Sequence, residues 1–281
     1  MTQKKSKLYE TAERGIPYLI LTSIALAALL TVCVIILLST RGCQADNDSG
    51  KKPADTVVDT NTGTVVTPDP NDSVILPATP DAGQAYQDSL TFVGDSLTAH
   101  LINREVLTGG KTTQQVWKTE NNMLNLNSEV TSAKIILPGT GDLMTIAQAA
   151  KTAKPSILII TLGTDWGVSY LNETDFKACY SKLVNDIKAA SPDTKIILQS
   201  IFPVTADCPH PSLSNDRIDN ANKWVKAIAA ETGCRYLDTQ SVLKDENNCL
   251  KTEYCNSNDG IHLGANAYRV ILEYIRTHAY N

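Results

Sequence analysis

Apolar positions divide this 281-residue chain into three stretches of different texture. Residues 16–38 are mostly apolar and carry no charge, and residues 44–84 are sparse in large apolar side chains. From about residue 85 onward, short apolar runs alternate with stretches of helical period. In that last part, residues 90–93 predict a first buried strand, 133–137 a second one ended by Pro138-Gly139, and 144–153 a helix. Residues 156–161 are almost wholly apolar, as expected of a strand covered on both faces. A helix over 175–190 ends before Pro192, and 195–198 with Ile201-Phe202 predicts another buried strand. A long helix over 214–232 is stopped by Gly233, a short strand follows at 234–237, and 265–278 closes the chain as a helix. This alternation predicts an α/β domain over 86–281, with a parallel sheet covered by helices on both sides. Reactive groups of such sheets collect beyond the carboxyl ends of the strands.

The first stretch is long enough to cross a bilayer: its roughly 23 residues, at about 1.5 Å each, span about 34 Å. Lys4, Lys5, Lys7 and Arg14 precede it and only Arg41 closely follows. The positive-inside bias therefore predicts a cytoplasmic tail over 1–15, a transmembrane helix over 16–38 and an exported remainder. The alternatives are a cleaved signal peptide, whose apolar core is usually only about 7–15 residues, and lipidation at Cys43 after Gly42. Residues 39–85 predict a disordered linker, rich in Asp, Thr and Pro, too polar to offset its own ordering entropy. About 40 flexible residues would reach roughly 35 Å.

Charge narrows the partners. The net charge is −5, and seven aspartates against Lys51 and Lys52 make residues 44–84 acidic. No basic stripe exists to follow a nucleic-acid backbone, so nucleic acid is excluded as the expected partner. Five cysteines lie beyond residue 100, where an exported chain can keep disulfides, and Cys249–Cys255 is the expected pair. No CxxC or HxxxH spacing predicts a metal, and no phosphate-cradling or dinucleotide fingerprint predicts a cofactor.

Two short motifs carry the chemistry. Gly94-Asp95-Ser96 follows the first strand directly, so the serine emerges at a strand's carboxyl end on a tight turn. Far along the chain, Asp259-Gly260-Ile261-His262 precedes the last helix. The spacing of three would place Asp259 and His262 on one face of a helical turn. A carboxylate holding one imidazole nitrogen leaves the other to take a serine proton. A serine capping a helix, or a histidine beside a turn, is commonplace alone, and the joint occurrence is what points to a serine hydrolase.

With these motifs the chain resembles the GDSL/SGNH hydrolases over roughly residues 88–280. Phe92-Val93-Gly94-Asp95-Ser96-Leu97 matches the family's first block and Asp259-Gly260-Ile261-His262-Leu263 its last, while Leu162-Gly163-Thr164-Asp165 echoes the third. The resemblance implies a three-layer α/β/α sandwich, flavodoxin-like, cleaving esters of lipids, acylated sugars or thiols. It implies Ser96 as nucleophile, His262 as general base and Asp259 as the base's orienting partner; together with the apolar run at 16–38, the expectation is a membrane-anchored bacterial member. In two places the sequence departs from the pattern. The family's oxyanion asparagine falls on Asp165, and loss of one such donor costs about 3–4 kcal/mol of barrier, with charge repulsion adding to it. A protonated Asp165, a carboxylate turned toward a sugar hydroxyl, and a helix N-cap are the three open readings. For the second block's glycine the candidates are Gly109 and Gly110, which a plain loop turn explains nearly as well.

Trp166 and Trp117 are candidates to line a sugar- or acyl-binding cleft, with core packing the alternative for each. His100, one helical turn after Ser96, reads as a surface or packing histidine. His210, between Pro209 and Pro211, reads as a surface residue on a rigid loop, with a reach into the site the alternative. The expectation is an extracellular esterase of a small-molecule, glycan or lipid ester, possessing no cofactor. The competing reading is a glycan- or protein-binding module on the same scaffold.

Overall fold

The structure is a computed structural model that describes residues 71–280 apart from Asp165, Ser257 and Asn258. The tail at 1–15, the apolar run at 16–38 and the linker up to residue 70 lie outside the described residues. Among the described residues no helix is long and apolar enough to cross a membrane.

The sequence enters the core through α1 (Gly83–Asp88) and β1 (Leu90–Gly94), and α2 (Ser96–Asn103) starts two residues after β1 ends. β2 (Val116–Trp117), the hairpin β3 (Lys134–Ile136) and β4 (Leu143–Thr145), and α3 (Ile146–Ala153) follow. Next come β5 (Ile157–Thr161), α4 (Trp166–Tyr170), α5 (Glu173–Ala190) and β6 (Lys195–Gln199). The chain closes through α6 (Asn215–Thr232), β7 (Arg235–Leu237), α7 (Gln240–Leu243) and α8 (Ala265–Arg276). The main sheet is parallel, in the order β2-β1-β5-β6-β7. Along one face α3 packs on α5 and α5 on α6, while α1 and α7 pack on α8. α2 joins α8 over the sheet's second face, where Leu97, Leu101, Tyr268 and Ile271 meet Phe92. The architecture is a three-layer α/β/α sandwich. β5 lies between β1 and β6, and all five of its residues are buried, which explains why it reads as an unbroken apolar run.

Three segments differ from expectation. Residues 133–137 do not join the main sheet: β3 pairs antiparallel with β4, and Pro138-Gly139 lies in their connection. Met144 therefore belongs to a strand, and the helix waits for Thr145, whose side chain closes a capping box with Gln148. β2 was not foreseen, because two residues are too short to carry a period.

The third difference is the end of the linker. Residues 71–85 are fastened to the domain: Ile75 bridges Tyr236, and Leu76 is buried and donates its N–H to the Tyr236 carbonyl at 2.9 Å. Asp72 pairs with Lys226 at 2.8 Å and Asp81 with Arg276 at 3.0 Å. Two of the linker's aspartates are thus ion-pair partners of the folded unit, and Leu76 fills its core edge. The Cys249–Cys255 bridge is not formed. Cys249 is a free thiol whose Sγ lies 3.5 Å from the Asn247 carbonyl oxygen.

Candidate active site

The serine turn is dictated by how tightly β1 and β5 approach. Phe92 and Val93 pair in register with Ile159 and Ile160, and Gly94 with Thr161. A Cβ at position 94 would land on the Thr161 carbonyl oxygen, so only glycine fits the strand end. The next residue, Asp95, is buried and works in two directions. Its Oδ1 accepts from the Leu97 N–H at 3.1 Å as the N-cap of α2, and its Oδ2 accepts from the Thr164 N–H at 3.2 Å. One carboxylate thereby ties the turn after β1 to the turn after β5. Ser96 follows as the first residue of α2, half-buried at the sheet's carboxyl edge.

The histidine loop is built differently. Asp259 and His262 lie in a turn and irregular chain before α8, not on the helical turn that their spacing suggested. What brings them together is the Asp259 side chain. Its Oδ1 accepts from the Ile261 N–H at 2.8 Å and from the His262 N–H at 3.0 Å, while Oδ2 lies 2.7 Å from His262 Nδ1. Such aspartate-to-backbone bonds fold a loop without helix or sheet. Gly260 sits at φ +72°, where a Cβ would be 2.5 Å from Thr205 Oγ1 and 2.9 Å from Cys208 Cα. Its carbonyl accepts from the Thr205 N–H at 2.9 Å, and Asn256 donates its N–H to the His262 carbonyl at 2.8 Å. The loop is therefore held from two sides.

These elements bring three of the sequence-predicted residues together. Ser96 Oγ lies 3.3 Å from His262 Nε2, and His262 Nδ1 lies 2.7 Å from Asp259 Oδ2. With the carboxylate on Nδ1, that nitrogen carries the proton and Nε2 presents a lone pair to the serine hydroxyl. Arg104 Nε, just beyond α2, donates to the Leu263 carbonyl at 3.0 Å, and Tyr268 Oη of α8 donates to the Leu97 carbonyl at 2.6 Å. Both bonds lock the serine helix to the segment carrying the histidine.

Beside the pair opens a cleft of about 420 Å³ whose walls include Met123, Trp166, Tyr170, His210, Asp259 and His262. Trp166 and Tyr170 stand on α4 with ring centroids 4.9 Å apart, exposed by 42% and 69%. Trp117 is only 2% exposed and belongs to the core of β2. His210 lines the cleft wall from its proline-flanked loop, the alternative placement rather than the surface one.

Two other candidates are not brought to the pair. Gly109 and Gly110 lie past the carboxyl end of α2, where the nearest side chain to Gly110 is Glu105 and the Gly110 N–H donates to the Leu107 carbonyl at 2.9 Å. Ser96 is at the opposite end of that helix, about 12 Å away along its axis. Asp165 lies outside the described residues.

His100, which reads from the sequence as a surface or packing histidine, packs against the pair. One turn along α2 from Ser96, its ring faces that of His262 with centroids 4.6 Å apart and planes tilted by 36°. Burial, and after it the neighbouring His262, lowers its pKa from 6.5 to about 4, so it is neutral at neutral pH. The i+4 spacing from Ser96 was a usable signal, but it acquires meaning only once the position of His262 is known.

A family model described as GDSL-like Lipase/Acylhydrolase matches residues 92–270, from the serine turn into α8. The chain belongs to that family. Membership of the GDSL-like acylhydrolases accounts for the two motifs at the ends of the matched region and makes ester hydrolysis the chemistry to test. No curated protein matches the sequence significantly. Solved structures similar to the chain include a GDSL-like lipase from Bacteroides thetaiotaomicron, at 15% identity over 73% of this chain and 91% of that one, with a TM-score of 0.45. Another is the periplasmic domain of a lipopolysaccharide acetyltransferase from Salmonella Paratyphi A, at 17% identity over 66% and 82%, with a TM-score of 0.46. A third is the acetylxylan esterase Axe2 from Geobacillus stearothermophilus, at 16% identity over 68% and 94%, with a TM-score of 0.42.

Proposed function

We propose that this GDSL-like acylhydrolase is a serine esterase in which Ser96 is the nucleophile, His262 the general base and Asp259 the group that orients it. The observation that carries the reading is the 3.3 Å approach of Ser96 Oγ to His262 Nε2, with His262 Nδ1 already held by Asp259. Ser96 Oγ attacks the acyl carbon while Nε2 takes its proton. His262 then returns that proton to the leaving alcohol oxygen, the C–O bond breaks, and the acyl group remains on Ser96. A water molecule attacks the acyl-enzyme, gives its proton to His262, and the acid leaves as Ser96 recovers its hydrogen. The negative oxygen of each tetrahedral intermediate faces the start of α2, whose dipole favours negative charge, although the Leu97 N–H there is already taken by Asp95 Oδ1.

The alcohol half of the ester lies in the cleft against Trp166 and Tyr170. Exposed aromatic faces beside Ser169, Ser212 and Asn125 suit an acylated sugar, whose ring offers C–H groups on one side and hydroxyls around its edge. Anchoring by residues 16–38 would hold the domain outside the cell, near O-acetylated surface polysaccharide.

The test uses the full-length protein in detergent with a short-chain aryl ester, and Ser96→Ala as control. The variant should lose about 10⁴-fold or more in kcat, and a fluorophosphonate probe should label Ser96 alone. Equal rates in both proteins, or none with any acyl length or acetylated glycan, would favour a binding module instead. Location is tested separately: protease added to intact cells should release the domain, and full protection would remove the extracellular placement while leaving the chemistry standing.

A further inference from the structure

We infer that His100 is a positioning residue for His262: its ring is a fixed neutral wall against which the His262 imidazole is held facing Ser96, and on which the charged imidazolium rests when the serine proton arrives. The inference builds on the proposed roles of Ser96 and His262. His100 and Ser96 are four residues apart on α2 and so share a face of that helix. The His262 ring, entering from the loop before α8, meets both: its Nε2 is 3.3 Å from Ser96 Oγ, and its centroid is 4.6 Å from that of His100. Such a separation lies within the range of offset and tilted ring pairs. Asp259 fixes the Nδ1 edge of His262, but one hydrogen bond leaves rotation about the bonds to the ring undetermined. A ring on its face removes that freedom.

The chemistry requires the wall to be uncharged. His262 gains a positive charge in each half-reaction, and a second cation against its face would oppose that step. A neutral aromatic face attracts a cation instead. His100 Nδ1 is buried and has no hydrogen-bond partner among the described residues, an arrangement that penalises a charged ring. Among the described residues, the titratable and charged groups acting on His100 are His262 and Asp259 from the histidine loop and Arg104 from beyond its own helix. Asp259 alone favours its protonation, against burial, His262 and Arg104. Tyr268 of α8, packed on the same helix, has its hydroxyl engaged by the Leu97 carbonyl.

The experiment compares His100→Ala, His100→Phe and His100→Lys in the full-length protein, by steady-state kinetics and by NMR titration of the His262 ring. His100→Ala should lower kcat about tenfold with little change in KM, since slight misplacement of a reacting group costs one to two orders of magnitude. His100→Phe keeps a neutral ring and should recover most of that loss. His100→Lys puts a cation beside His262, so the His262 titration and the acid limb of kcat/KM should both move to lower pH by about half a unit or more relative to His100→Phe. A merely structural role would leave that limb where it is. Three results overturn the inference: a kcat within about twofold of wild type in His100→Ala, equal impairment in His100→Phe and His100→Ala, or one His262 titration midpoint in His100→Lys and His100→Phe. Should the wild type hydrolyse no ester, the proposed function fails, while the NMR titration still decides whether His100 acts on His262. Should His100→Ala fail to fold, the Phe and Lys variants carry the comparison.

Discussion

The two halves of the site reach nearly the same point by opposite means. Ser96 is placed by the sheet itself: β1 ends against β5, the glycine at its end has no room for a Cβ, and Asp95 bolts the turn to Thr164. His262 is placed by a loop with no regular structure, whose shape depends on one carboxylate taking two backbone N–H groups and a ring nitrogen. The nucleophile is therefore part of the fold, while the base is a local construction resting on it. Disturbance near Ser96 should register as lost stability. Disturbance near His262 should register as lost activity in a protein that still folds.

The largest effect expected from this contrast is at Asp259. Asp259→Asn keeps an oxygen for the Ile261 and His262 N–H groups but cannot hold the Nδ1–H tautomer, so kcat should fall about 10⁴-fold with little change in thermal midpoint. Asp259→Ala should match that loss and also lower the midpoint, because two N–H groups lose their acceptor. If both variants keep activity within tenfold, the carboxylate does not set the base.

Gly94→Ala should cost about 3 kcal/mol or more, measured by denaturant unfolding, since strand and turn must separate to admit a methyl group. Gly260→Ala places a methyl group at positive φ in the loop and should cost about 1–3 kcal/mol, with a proportionally greater drop in kcat/KM. The reverse order of the two on stability would overturn the distinction drawn between sheet and loop.

Tyr268→Phe removes the hydroxyl that donates to the Leu97 carbonyl and should lower stability by about 1–2 kcal/mol. A smaller change is expected with pH. Because the folded-state pKa of His100 is lowered to about 4, the unfolded chain binds more protons there, and stability should decline as pH falls from about 6.5 toward 4. His100→Phe should flatten the melting temperature over that range. An unchanged slope would mean that other groups dominate it.

How much of this was legible in the sequence depends on how local the signal was. β5 and the long helices announced themselves because burial on two faces, or on one face of a helix, repeats over many residues. Ser96, Asp259 and His262 could be singled out because each belongs to a short motif with its own chemistry. β2 has only two residues, and the β3–β4 hairpin imitates a sheet strand followed by a helix until Thr145 is recognised as a cap. His100 read only as a surface or packing histidine, and Gly109 and Gly110 were put forward, for one reason: their relation to the pair is set by distance across the fold. Position along α2 alone does not supply it. Leu76 and Asp81 were hidden for a related reason, since their partners Tyr236 and Arg276 lie more than 150 residues further along the sequence.

The fastening of residues 71–85 has a mechanical side. Thr79 and Ala82 donate their N–H groups to the carbonyls of Thr277 and Arg276, at the end of α8 remote from His262. Tension arriving from the N-terminal direction would strip this clasp, bond by bond, before it could strain β1 or tilt the serine helix. In a tethered protein it would serve the domain as a strain relief serves an electrical cable, letting the lead be tugged while the contacts inside stay seated.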